Sequence, residues 1–161
     1  MERIKKLVLI SHCVINQNSV VHPLARAKGQ FTFVDSLIKN NIGIYQLPCP
    51  EFKFGGLNRV PTEKEDYDTP EYRGLCRKLS LDVVEEIMEY IKHYNKVVGV
   101  IGINHSPTCS ITGKRGIFME ELFKELESRE IILPYIEVPG EYDESDDSVN
   151  EMREKIQKMI K

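Results

Sequence analysis

The chain contains four short apolar runs rich in valine and isoleucine, each bounded by polar or turn-forming residues. The runs span residues 7–10, 42–47, 97–103 and 131–138. Runs of this length and composition are typical of buried β-strands. The sequence therefore predicts four buried strands.

Helical patterns lie between and after these runs, with apolar residues recurring every third or fourth position. They span residues 31–38, 75–91, 117–126 and 149–160. Thr69 can cap the second helix, and Pro70 suits its first position, where no backbone donor is needed. Acidic residues in the stretch 141–147 precede the fourth helix, where the helix dipole favours negative charge.

The alternation of strands and helices predicts an α/β fold. We expect a single doubly wound sheet, Rossmann-like or flavodoxin-like, with about four parallel strands and helices on both faces. A flavodoxin-like strand order 2-1-3-4 would make the first three strands neighbours. Two segments, residues 11–28 and 48–68, lack periodicity and are long for loops, which is typical of functional segments.

Composition narrows the class of protein. A chain of 161 residues with 41% hydrophobic residues can bury a core without disulfides, so we predict a single domain over residues 1–161. No stretch approaches the ~18 apolar residues of a membrane span, and the run at 7–10 is too short for a secretory signal. We therefore expect a cytoplasmic protein with no membrane partner. The net charge of -3 argues against nucleic acid as the main partner.

The four cysteines form no Cys-x-x-Cys pair, but three of them share a position in the predicted fold. Cys13 follows the first strand, Cys49 follows the second, and Cys109 lies in the loop after the third. Because ligands bind at the carboxyl ends of strands in parallel α/β sheets, these three thiols are expected to converge on one site. Cys76 falls inside the long helix, where a cysteine usually packs as a small hydrophobe.

Three convergent thiolates suit an iron–sulfur cluster, zinc or Cu(I), and a set of three leaves a coordination position open for a substrate. Glu51 lies two residues after Cys49 and can act as a general base. Ser106 lies three residues before Cys109 and can act as a proton relay or as a positioning hydrogen-bond donor. A solvated loop acid and a turn serine are the ordinary alternatives for these two residues. His12 and His105 flank the cysteine loops and can contact substrate or tune sulfur.

Motifs for nucleotide phosphates and for serine hydrolases are absent. No glycine-rich phosphate loop follows a strand, and the sequence around 113–114 lacks the residues of a P-loop. No Gly-x-Ser-x-Gly elbow occurs either.

Three ordered motifs resemble those of the thiouracil desulfurase (TudS-like) family over the chain up to about residue 139. They are Ser-His-Cys at 11–13, Cys-Pro-Glu at 49–51 with Gly-Gly-Leu-Asn-Arg-Val-Pro-Thr-Glu at 55–63, and Ser-Pro-Thr-Cys at 106–109. The chain departs from the common pattern after Cys13, where Val-Ile-Asn-Gln-Asn follows, and at Ser110, where glycine is usual. It is therefore similar to a TudS-related desulfidase subgroup.

The resemblance implies a [4Fe-4S] cluster held by Cys13, Cys49 and Cys109, with one iron left free for the sulfur of a thiocarbonyl compound. It implies that Glu51 is the acid/base and Ser106 its helper. It also implies non-redox desulfuration of a small thiocarbonyl substrate such as a thiouracil or thionucleoside. Two further residues, Arg59 and Glu63, match a family stretch and are expected to lock the loop.

Two other classes of function stay open at this point. The first is a non-enzymatic metal or iron–sulfur protein, such as a zinc module, sensor or cluster carrier. A closed site with Cys76 as the fourth ligand would support it. The second is a flavodoxin-like domain with structural cysteines. The oligomeric state is open too, with a homodimer as one candidate.

Overall fold

The structure is a computed structural model that describes residues 1–161. Its centre is one four-stranded sheet in the order β2-β1-β3-β4 with every neighbouring pair parallel. The strands are β1 (Lys6–Ile10), β2 (Gly43–Gln46), β3 (Lys96–Ile103) and β4 (Tyr135–Val138). The predicted α/β class, the parallel sheet and the strand order 2-1-3-4 are confirmed.

Six α-helices connect or follow the strands. They are α1 (Asp35–Lys39), α2 (Pro50–Gly55), α3 (Lys64–Tyr67), α4 (Pro70–Lys92), α5 (Ile117–Ser128) and α6 (Asp146–Ile160). Helix α4 starts as predicted, because the Thr69 hydroxyl accepts the Tyr72 N–H at 3.2 Å and Pro70 follows. None of the helices combines the length and the apolar character needed to cross a membrane.

The remaining ordered turns are short 3-10 segments. They are His12–Val14, Gln17–Ser19, His22–Leu24 and Thr32–Val34. The helix predicted over 31–38 is therefore half 3-10 turn and half α1. Helices α2 and α3 were not predicted, because segments of one or two turns are too short for a 3.6-residue periodicity to be visible.

Two of the predicted buried strands are only partly buried. β2 and β4 are the edges of the sheet, and most of their residues are half-buried or exposed. β4 also begins at Tyr135 instead of residue 131. Pro134 explains the delay, because a proline has no N–H to donate to the ladder.

The sheet separates two hydrophobic cores. Leu7 and Leu9 of β1 pack with α4 and α5 on one face, whereas Val8 and Ile10 pack with α1 and α6 on the other. Alternate side chains of a strand point to opposite faces, so a central strand needs apolar residues at every position. The observed layers confirm the predicted helices on both faces.

Gly99 interrupts the alternation in β3. The register between β1 and β3 shifts at this point, so that Val97 and Val100 face one core while Val98 and Ile101 face the other. A Cβ at Gly99 would lie 2.8 Å from the Pro134 carbonyl oxygen. The absent side chain lets the bulged strand approach its neighbour, and the bulge sets which β3 residues reach the carboxyl edge.

Candidate functional site

The three cysteines converge at the carboxyl edge of the sheet, as predicted. Cys13, Cys49 and Cys109 line one cavity of about 280 Å³, together with Glu51 and Ser106. A single ordered water needs only about 10–15 Å³, so this cavity has room for a group of many atoms. His12, His105 and Arg59 line it as well.

Two candidate residues lie elsewhere. The Cys76 side chain is fully buried in the core between α4 and the sheet. Glu63 is exposed, and it caps α3 through its backbone carbonyl without lining the cavity. The geometry supports the packing interpretation of Cys76 and gives Glu63 no contact with the candidate site.

Pairing beyond the ends of the strands holds the cysteine loops side by side. The Leu47 N–H donates to the Ile10 carbonyl at 2.8 Å, and the Ser11 N–H donates to the Ile101 carbonyl at 2.9 Å. Each bond lies within two residues of Cys13 or Cys49 along the chain. The hydrogen bonding of the sheet therefore continues into the backbone that leads to these two cysteines.

Cys49 also begins a helix. Its sulfur accepts the Phe52 N–H at 3.4 Å, and Pro50 occupies the first position of α2. This arrangement places Glu51 in the first turn of α2, with its side chain on the cavity.

The Cys109 loop is fixed by Ser106. The Ser106 hydroxyl oxygen accepts the backbone N–H groups of Thr108 at 3.2 Å and Cys109 at 2.9 Å. Because the hydroxyl oxygen already accepts two hydrogen bonds, the Ser106 O–H group is left free to donate one. Ser106 can therefore supply a hydrogen bond in the cavity, and it has a structural role that the sequence did not reveal.

The same loop is joined to the start of α5. Ile117 and Met119 donate their N–H groups to the carbonyls of Pro107 at 3.0 Å and Thr108 at 3.2 Å. These are N–H groups that the first turn of a helix leaves without internal partners. Gly116 permits the contact, because a Cβ there would lie 2.6 Å from the Cys109 nitrogen and closer still to the Thr108 carbonyl.

We expect Gly116→Ala to destabilise the protein by roughly 1–3 kcal/mol, because the new methyl group collides with backbone that cannot move independently. Gly74→Ala is the matched control, since Gly74 lies inside α4 with nothing near its missing Cβ. It should stabilise the protein by about 0.5–1 kcal/mol. Urea unfolding monitored by circular dichroism measures both. Equal effects of the two substitutions would contradict this account of the Cys109 loop.

Burial keeps the thiols protonated. It raises the pKa of Cys13 to about 12, with the neighbouring Cys49 and Glu51 charges adding to the effect. Burial also raises the pKa of Cys49, and it raises that of Cys109 well above the ordinary value. At neutral pH the three sulfurs are therefore thiols, and binding of a metal centre must displace their protons.

One fixed positive charge opposes this effect. The Arg26 guanidinium lowers the pKa of Cys13 and lines the same cavity. Its Nη1 donates to the carbonyls of Pro139 at 2.7 Å and Gly140 at 3.1 Å, and its carbon lies 5.7 Å from the Phe31 ring centre. Arg26 is thus held as a counter-charge beside the cysteines, a role that no sequence motif indicated.

The buried hydroxyl of Ser11 lacks a hydrogen-bond partner within the protein. Burial raises the pKa of the nearby Cys109 thiol, and Ser11 acts in the opposite direction as a smaller effect that favours the thiolate. A buried O–H without an acceptor is costly, and a negatively charged sulfur would supply the acceptor. This orphaned donor therefore fits a state in which Cys109 is ionised.

The two candidate histidines differ in their surroundings. His12 Nδ1 lies 3.1 Å from the Leu47 carbonyl, so in the neutral ring Nδ1 carries the proton and Nε2 is an acceptor. Burial lowers the pKa of His12. His105 is exposed at the cavity with a left-handed backbone (φ 67°), and its ring packs where a Cβ of Gly140 would stand. Both histidines can contact a ligand in the cavity.

Glu51 has two neighbours that the sequence did not connect to it. The Tyr67 hydroxyl donates to Glu51 Oε1 at 3.3 Å, and Arg59 Nε lies 3.8 Å from the same oxygen. Arg59 also locks the loop as expected, because its Nη1 donates to the Gly56 carbonyl at 2.8 Å and its Nη2 to the Ser19 carbonyl at 2.6 Å. Arg59 thereby joins the two long loops across the cavity.

Comparison with known proteins identifies a relative in Methanocaldococcus jannaschii, the uncharacterized protein MJ0003. It is 46% identical over 158 residues, which cover 98% of this chain and 98% of the relative. The chain belongs to the MJ0003 family. No family model and no solved structure matches it. Since the name of MJ0003 states no activity, the resemblance of this MJ0003-family chain to thiouracil desulfurases stays a prediction.

Proposed function

We propose that this protein is an iron–sulfur-dependent desulfidase, which converts a small thiocarbonyl compound such as a thiouracil or thionucleoside into its oxo analogue. The observation that carries the proposal is the shared cavity. Cys13, Cys49, Cys109 and Glu51 line it together, at the sheet edge where parallel α/β proteins bind their ligands.

Three cysteine sulfurs are the donor type that a [4Fe-4S] cluster takes. No three His, Cys, Asp or Glu side chains lie close enough together to hold one metal ion. In a four-iron cluster each cysteine binds a different iron, so the ligand sulfurs stand farther apart than around one zinc. Cys13, Cys49 and Cys109 would hold the cluster, and the unpartnered Ser11 hydroxyl would donate toward Cys109. Cys76 is fully buried and does not line the cavity, so it is not among the proposed ligands.

When bound, such a cluster supplies an iron without a protein ligand, a soft Lewis acid that polarises a thiocarbonyl group. The reaction is a hydrolysis: a carbon–sulfur bond breaks, a carbon–oxygen bond to water oxygen forms, and sulfide carries away the two hydrogens of water. Electrons balance without an oxidant or a reductant.

In the proposed reaction, side chains of the protein activate the water, donate a hydrogen bond and offset the developing charge. Glu51 accepts a proton from the water as the oxygen attacks the thiocarbonyl carbon. Ser106 offers its O–H to the substrate or the developing oxygen, since its lone pairs are occupied by the Cys109 loop. The Arg26 guanidinium offsets negative charge that develops near Cys13.

The cavity favours a small substrate. Val20, Val21 and Leu24 supply apolar surface to the cavity, and its polar lining comes from all three cysteine-bearing loops. A cavity of about 280 Å³ is of small-molecule size, which favours a base or a nucleoside over a folded RNA. The net charge of -3 supports the same choice.

The test is anaerobic reconstitution followed by turnover. Holo-protein is incubated with thiouracils, thiouridines and non-aromatic thioamides, while loss of thione absorbance and release of sulfide are recorded. We expect sulfide and oxo product in equal amounts. Turnover confined to non-nucleobase thioamides would change the substrate class. An intact cluster without any turnover would instead indicate a sensor or cluster carrier.

A further inference from the structure

The Glu51 carboxylate is held by one of its two oxygens. Tyr67 donates its hydroxyl to Oε1 at 3.3 Å, and Arg59 Nε faces the same Oε1 at 3.8 Å. No hydrogen bond from the protein reaches Oε2. Glu51 itself lines the cavity, and 17% of its side chain is exposed. The two oxygens are therefore chemically distinct before any substrate binds.

Both groups that face Oε1 are themselves fixed. The Arg59 side chain is only 8% exposed, and its two Nη atoms are committed to the carbonyls of Gly56 and Ser19. Gly55 lets it pack closely, since a Cβ there would lie 3.0 Å from the Arg59 Cβ. Neither the guanidinium nor the loop it joins can move without breaking these contacts.

Tyr67 is fixed by aromatic packing. It is 8% exposed and stacks on Tyr72, with 4.6 Å between the ring centres. The Tyr72 hydroxyl is in turn 2.8 Å from that of Thr108 in the Cys109 loop. The position of the Tyr67 hydroxyl is thus coupled to the loop that carries the third cysteine.

The Nε–H of Arg59 is unusual because it is buried and has no hydrogen-bond partner. A buried N–H without an acceptor costs free energy, and Glu51 Oε1 is the acceptor that it faces. The carboxylate is consequently drawn toward Arg59 through Oε1. This attraction resists rotation of the carboxylate about its terminal bond.

From this geometry we propose that Arg59 and Tyr67 are positioning residues that anchor Glu51 Oε1, so that Oε2 is the atom that takes the proton from the attacking water. The inference rests on the proposed hydrolysis. It assigns to Arg59 a role beyond locking the loop, and it gives Tyr67 a role that no motif indicated.

Two conservative substitutions test the assignment in the holo-protein. Arg59→Lys keeps the charge but loses the planar fork, and Tyr67→Phe keeps the ring but loses the donor. Because a freed carboxylate samples unproductive orientations, we expect each to lower kcat by roughly 10–100-fold. KM should stay within about twofold, since neither group is proposed to bind substrate. Arg129→Lys and Tyr94→Phe, at the end of α5 and on the exposed surface, are the matched controls.

A second measurement does not depend on activity or on the cluster. The folding equilibrium constant of the apo-protein is measured by urea unfolding in two double-mutant cycles. One cycle combines Glu51→Gln with Arg59→Lys, and the other combines Glu51→Gln with Tyr67→Phe. Anchoring predicts that Arg59→Lys lowers the folding equilibrium constant by roughly threefold more when Glu51 is present than in the Glu51→Gln background. The Tyr67 cycle should show coupling of the same sign.

The outcomes distinguish a failure of the Glu51 anchoring from a failure of the proposed function. Additive effects in both cycles would overturn the anchoring of Oε1, whatever the activity. Coupled cycles with an unchanged kcat in both variants would overturn the assignment of Oε2 while leaving the desulfidase proposal intact. Coupled cycles in the apo-protein, together with no turnover by the wild-type holo-protein, would overturn the proposed function, and with it the catalytic assignment.

Discussion

Alanine at Cys13, Cys49 or Cys109 is expected to abolish cluster binding, the largest effect that we predict. Each of these cysteines lines the cavity, and each would bind a separate iron of the cluster. With two thiolates left, the centre loses one of its three thiolate ligands, the soft sulfur donors that iron–sulfur clusters require. Anaerobic reconstitution should give protein without the visible absorbance of an iron–sulfur centre and without bound iron.

Cys76→Ala is the matched control for this experiment. Its thiol is fully buried in the core beneath α4, away from the cavity. The variant should lose some stability through the vacated volume but keep the full absorbance and iron content. Loss of the cluster in Cys76→Ala would contradict the three-cysteine site and indicate a closed four-cysteine centre. Circular dichroism of every variant verifies that the loss of metal is not a loss of fold.

Glu51→Gln is expected to reduce turnover by roughly 10²–10⁴-fold, the usual contribution of a positioned general base. Glutamine keeps the size of the side chain but cannot accept the proton of the water. The variant should still bind the cluster, because Glu51 is not among its proposed ligands. Initial rates of sulfide release, normalised to iron content, measure the effect.

The control for Glu51→Gln removes a comparable charge elsewhere. Glu85 lies on the exposed surface of α4, far along the chain from the cavity loops, and Glu85→Gln should leave turnover unchanged. Normal turnover in Glu51→Gln would show that the proposed proton transfer is wrong. Ser106→Ala is a less direct probe, because it also leaves the N–H groups of Thr108 and Cys109 without their acceptor.

Local patterns in the sequence were sufficient to predict the layers of the fold and the place of the site. Valine- and isoleucine-rich runs identified the central strands, and helical spacing identified α4, α5 and α6. Once the strands are parallel, every segment that follows a strand lies at the same edge of the sheet. This rule placed Cys13, Cys49 and Cys109 together without knowledge of any contact.

The tertiary structure decided the features that depend on contacts between distant segments. The apolar runs in the sequence could not distinguish edge strands from central ones. They show that a strand is apolar, but not how many neighbouring strands it has in the sheet. Nor could they reveal that Ser11 lies near Cys109 of another loop, or that Arg26 folds back beside Cys13 within the same long loop, since neither segment has a repeating pattern.

The same distinction holds for the chemistry of the site. The sequence by itself determined which residue types are available: three thiols, a carboxylate and a hydroxyl at the ends of neighbouring strands. Only the fold decided that the Ser106 oxygen accepts hydrogen bonds from backbone N–H groups. It also decided that Arg59 and Tyr67 both contact the same oxygen of Glu51. The physical reason is that spacing along a chain fixes which edge of a sheet a residue reaches. The direction of each lone pair and N–H group is set by packing among loops that share no pattern.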